Sequence, residues 1–66
     1  MNVAELIRAM RTGADLSVPG LAKRMDVTTG QIYSWEAGKV VPSAEKLLLV
    51  ARATGYQLVF RKSGRE

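Results

Sequence analysis

Apolar residues return at helical spacing in four stretches of this chain, and a small polar residue able to cap a helix precedes each stretch. Val3, Leu6, Ile7 and Met10 fall at i, i+3, i+4 and i+7, with Glu5, Arg8 and Arg11 on the other side. That spacing predicts an amphipathic helix from residue 3 to about residue 12, with Asn2 and Glu5 placed as a capping box and Gly13 as a stop. The same spacing recurs at Val18, Leu21, Ala22 and Met25, behind Ser17 as cap and with Pro19 in the first turn, where its missing N–H costs little. Gly20 weakens this two-turn helix by at most about 1 kcal/mol relative to alanine.

Only Asp26 and Val27 separate that helix from Thr28, the predicted cap of a third helix running to about Ala37 and closed by Gly38. Two short helices joined so tightly must cross steeply. The third has little apolar face, with Ile32 and Trp35 as its two anchors. After "KVVP", Ser43 caps a fourth helix, in which Ala44, Leu47, Leu48, Ala51 and Thr54 are expected to face the core and Gly55 to end the run. Leu49 falls off that stripe, beside Glu45 and Arg52 on the polar face.

The period then shortens to two. Tyr56, Leu58 and Phe60 alternate with Gln57, Val59 and Arg61, which predicts a β-strand over 56–62 followed by a flexible tail at 63–66. A lone strand has nothing in this chain to pair with, so it either packs as an extended arm or pairs with its counterpart in a second copy. Leu58, Val59 and Phe60 are the residues expected at a dimer interface of the second kind, and Leu49 is expected either to anchor a dimer interface or to be covered by the tail of its own chain. The expected architecture is an all-α bundle of four to five short helices over residues 1–55, with that strand appended.

Composition narrows the function. Sixty-six residues make one domain with a small core, for which marginal stability or oligomerisation is expected. The chain holds no cysteine and no histidine, so disulfides, thiolate or imidazole metal sites and histidine-based triads are excluded by inventory. Neither an enzyme, nor a cofactor, nor a metal site is expected. Ten Lys and Arg against six Asp and Glu leave a net charge of +4, which makes nucleic acid the leading partner class. The longest apolar run, "LLLV" at 47–50, is far below the roughly 20 residues of a membrane span. With no signal-peptide pattern either, the expectation is a cytoplasmic protein that does not engage membranes.

A two-turn helix, a tight turn and a third helix that starts with small polar residues form a helix-turn-helix, whose second member enters the DNA major groove. That explains the sparse apolar face of the third helix, because its other side is left for base edges. "LAKRMDVTTGQIYSWEAGKVVPSAEKLLLVARATG" resembles the lambda-repressor/Cro, or Xre, family of DNA-binding domains. The likeness runs from residue 6 to about residue 55. It is carried by Leu21 and Ala22, Ile32, the Glu36-x-Gly38-Lys39 sequence, Pro42 and Ser43, and the Leu47, Leu48 and Ala51 face.

The resemblance implies a four- or five-helix bundle that binds double-stranded operator DNA as a homodimer, usually as a transcriptional repressor. It implies that Thr28 caps the reading helix at the groove wall, that Thr29, Gly30 and Ser34 lie where family members touch bases, and that the capping Ser17 is among the DNA-binding residues. Gln31 would bond an adenine or a phosphate, or else stay solvated; Tyr33 would press on a sugar-phosphate or thymine methyl, or else pack on its neighbours. Lys39 would contact a phosphate. Trp35 replaces a family aliphatic core residue, and Glu36 reads as a structural hydrogen-bond or ion-pair partner.

Four positions depart from the family: Val18 stands in place of a phosphate-touching glutamine, Asp26 in place of the turn glycine, Ala37 in place of a polar residue, and Gly30 puts no side chain at a reading position. Such a protein reads fewer bases directly and leans on backbone contacts or DNA shape. The ending, "ATG" followed by "YQLVFRK", resembles small antitoxins of the HipB type, in which terminal strands of two subunits form a ribbon. This implies a protein toxin as a further partner.

Overall fold

The computed structural model describes residues 2–59 and 62. Among these residues four helices follow one another: α1 (Val3–Gly13), α2 (Val18–Met25), α3 (Thr29–Glu36) and α4 (Ala44–Thr54). Each starts where a polar side chain in extended backbone accepts the N–H three residues on: Asn2 Oδ1 from Glu5 at 2.8 Å, Ser17 Oγ from Gly20 at 3.0 Å, Thr28 Oγ1 from Gln31 at 3.1 Å, and Ser43 Oγ from Lys46 at 3.1 Å. Those bonds satisfy N–H groups that the first turn of a helix otherwise leaves open.

The helices end by different means. Asp26 closes α2 at φ 59 and ψ 45, a left-handed conformation that an aspartate tolerates better than most side chains. Gly38 at φ 77 turns the chain out of α3, and an added Cβ there would meet no neighbour within 4 Å. Gly38→Ala is therefore expected to lower stability by roughly 1–2 kcal/mol through the backbone alone, checked by urea unfolding with an unchanged m-value. Gly13 is the last residue of α1, and the left-handed step follows at Asp15. A Cβ on Gly13 would collide with the Tyr56 hydroxyl, so the glycine admits the ring that begins the C-terminal segment.

The core is one cluster: Ile7 and Met10 from α1, Val18, Leu21 and Ala22 from α2, Ile32 and Trp35 from α3, and Val50 and Ala51 from α4. Helices α1 and α2 each pack against both α3 and α4. The inward stripe of α4 differs from the expectation. Val50, Ala51 and Thr54 are buried and Leu47 is half-buried, whereas Ala44 is exposed and Leu48 is 51% exposed. The stripe 47, 50, 51, 54 has the same spacing as the expected 44, 47, 48, 51, and a run of "LLLV" satisfies both. Packing on α1 and α2 chooses between them.

The expected strand over 56–62 is not formed within the described residues: 56–59 carry no strand pairing, and a strand without a ladder partner leaves its backbone groups open. Leu58 instead packs half-buried against the core, while Val59 is 68% exposed. Phe60, Arg61 and the expected tail at 63–66 lie outside the described residues.

Candidate nucleic-acid interface

The side of α3 opposite Ile32 and Trp35 is open. Thr28, Thr29, Gly30 and Tyr33 are exposed, Tyr33 by 58%, and Gln31 and Ser34 are half-buried. The structure thus brings six of the eight expected DNA-contacting residues onto one short helix and its cap. Lys39 is exposed just beyond the helix, and its backbone N–H is bonded to the Ser34 carbonyl at 3.0 Å, with Val40 N–H on the same oxygen at 3.3 Å. That pair of bonds ties the lysine to the C-terminal end of α3. Ser17 belongs to a different element, as the N-cap of α2.

Ser17 and Thr28 use their hydroxyl oxygens as capping acceptors, so each retains its proton for an outside acceptor. They stand at the N-terminal ends of α2 and α3, where unpaired backbone N–H groups and the helix dipole favour an anion. Gly30 has open space above it, since a Cβ there would meet only Thr28 Oγ1 at 4.0 Å. Packing does not require glycine at this position. Its absent side chain allows another backbone to come close.

The buried side of α3 fixes how the open side is presented. Ile32 is fully buried, Trp35 is 2% exposed and Glu36 is 8% exposed, so the last turn of α3 is held by an apolar anchor and a charged one. Glu36 accepts from Arg11 Nε at 2.7 Å and from a second Arg11 guanidinium nitrogen at 3.0 Å, a two-pronged pair between α1 and α3. Arg11 also donates to the Leu16 carbonyl at 3.0 Å, which joins the α1–α2 turn to the same network. Arg8 reaches Glu36 at 3.4 Å, but its side chain is 61% exposed and adds little. Hydrogen bonding to Glu36 holds the Arg11 guanidinium above its ordinary pKa, against the opposing effect of burial. A raised pKa on a cation stabilises the fold below the unfolded value and loses that contribution only as pH climbs through the folded value. For an arginine that lies beyond the pH range of ordinary buffers.

Glu36 was legible in the sequence as a structural partner, but the identity of that partner was not, because Arg11 lies 25 residues away on what reads as the solvent side of α1. Two exposed valines, Val40 and Val41, have no signature in the sequence, because a four-residue loop has no periodicity. With Val3, Trp35, Gly38 and Pro42 they line an open hollow of about 330 Å³ beside the indole. Among the described residues no group of His, Cys, Asp or Glu is arranged to hold a metal ion, and no helix is long and apolar enough to cross a membrane.

A family model described as helix-turn-helix matches residues 7–60 of the chain. Neither the search of curated proteins nor that of solved structures returned a match.

Proposed function

The chain belongs to the helix-turn-helix family of Xre, or lambda-repressor, type, and is a DNA-binding regulator in that general sense; on that premise we propose that it is a sequence-specific transcriptional repressor. Two copies bind a palindromic operator, each inserting α3 into the major groove of one half-site about 34 Å from the other. The observation that carries this reading is the division of α3. Ile32, Trp35 and Glu36 hold one side, while Thr28, Thr29, Gly30 and Tyr33 stand open on the other.

Within this reading Thr29, Gln31, Tyr33 and Ser34 face base edges, and Ser17, Thr28 and Lys39 meet phosphates. A site selected from a random DNA pool and titrated with salt tests it. Affinity should fall steeply as salt rises and exceed that for random DNA at every salt concentration; equal affinity for both DNAs would sink the proposal. Lys39→Ala is expected to weaken binding to all sequences alike and reduce the salt slope by about one, whereas Ser34→Ala or Thr29→Ala should change which bases are preferred.

A second reading, an antitoxin that also holds a protein toxin and represses its own promoter, draws on the "YQLVFRK" ending, of which Val59 is 68% exposed. Co-purification of a neighbouring gene product with the full chain, lost on Val59→Asp, is its expected signature.

A further inference from the structure

The outward face of α4 carries charged and apolar side chains in a symmetric order. Glu45, Leu48, Leu49 and Arg52 are all exposed, and their spacing of three, one and three residues places them on one side of the helix. The midpoint between Glu45 and Arg52 is also the midpoint between Leu48 and Leu49. A two-fold axis through that point sets a second α4 antiparallel to the first. Glu45 of each copy then faces Arg52 of the other, and Leu48 of each faces Leu49 of the other.

Neither Glu45 nor Arg52 makes an ion pair among the described residues, and Leu48 and Leu49 are 51% and 37% exposed. Beside Leu49 lies a hollow of about 220 Å³, lined also by Arg24, Met25, Arg52 and Ala53. One wall is set, because Arg24 donates to the Ala53 carbonyl at 3.0 Å. A projecting leucine and a hollow beside the next leucine are a knob and a hole on the same face.

We propose that the outward face of α4 is the dimer interface, with a second copy of this chain as its occupant. This rests on the dimeric reading above and gives it a surface. The occupant follows from charge complementarity, since the acidic and basic ends of the face match only when the second helix runs the opposite way. Glu45, Leu48, Leu49 and Arg52 are all distinct from the residues proposed to face the groove. A three-turn helix about 16 Å long covers less than the ~800 Å² per partner of an ordinary stable pair. The association is therefore weak in free solution and is completed when two subunits occupy adjacent half-sites.

Sedimentation equilibrium on the full chain, with and without a two-half-site DNA, tests the interface. Glu45→Arg alone and Arg52→Glu alone place like charges at both ends and should each weaken self-association at least about tenfold. The double variant should recover it, and so should an equimolar mixture of the two single variants, because each then meets its complement. Circular dichroism of each variant checks the fold, and a merely unfolded variant is not rescued by mixing. A wild-type dimer indifferent to both substitutions, or a loss that mixing does not restore, overturns the α4 interface and leaves the dimeric reading intact. A chain that stays monomeric and occupies the two-half-site DNA as a single subunit overturns both.

Discussion

Replacing Glu36 by alanine is expected to lower the stability of the domain by about 3 kcal/mol, the lower end of what removing one member of a buried ion pair costs. The Glu36 side chain is 5% exposed and accepts two close bonds from Arg11, whose own side chain is 15% exposed and further tied to the Leu16 carbonyl. Without the carboxylate the partly buried guanidinium is left with one carbonyl partner, and that uncompensated charge is the main cost. For a domain of this size the loss corresponds to a fall in Tm of roughly 10–25 °C. The sole tryptophan, buried as Trp35, reports the transition by the red shift of its emission.

Two further variants separate the cost of an orphaned charge from the value of the pair. Glu36→Gln keeps an acceptor for Arg11 but removes the charge, and should lose less than alanine. Combining Glu36→Leu with Arg11→Met removes both charges and should recover most of the stability, because a buried ion pair replaced by apolar groups is often near neutral. A double variant as unstable as Glu36→Ala would show that the bonds across α1 and α3, and not the avoided charge burial, hold this site.

The parts of the fold legible in the sequence were those set by neighbours in the chain. A cap oxygen acts on a backbone N–H three residues away, so Asn2, Ser17, Thr28 and Ser43 announce their helices before any tertiary contact exists. The left-handed turns at Asp26, Gly38 and Gly55 are likewise local properties of those residues. What depended on distant partners was harder to see. The register of α4 is degenerate in "LLLV" and is decided by α1 and α2; the alternating tail satisfies a strand pattern, yet Leu58 turns toward the core and Tyr56 seats itself over Gly13. For the site, α3 and its open side were visible as a helix too polar to be buried all round. The charged anchor beneath it was only half visible.

Truncating Trp35 to alanine should be at least as damaging as losing Glu36, at about 3–5 kcal/mol. The indole is the largest fully buried side chain and sits in the last turn of α3, packed among core residues from the other helices. One of its neighbours is the open hollow lined by Val3, Val40, Val41 and Pro42. Removing the ring would join that hollow to the space the ring leaves, so water would reach Ile32 and Ile7 where a closed cavity would have stayed dry. The transfer free energy of the whole indole is then lost, and the surrounding side chains have little room to collapse inward. Trp35→Phe keeps an aromatic anchor and should cost about half as much. Measured by far-ultraviolet circular dichroism during urea unfolding, the alanine variant should show its midpoint displaced furthest. The functional consequence differs in kind from that of a base-facing substitution. With the last turn of α3 loosened, the helix no longer presents one orientation to the groove, so DNA affinity should fall for every sequence together. A Trp35→Ala protein that folds at low temperature yet keeps wild-type affinity and preference would show that Ile32 and the Glu36–Arg11 pair are enough to set the angle of α3.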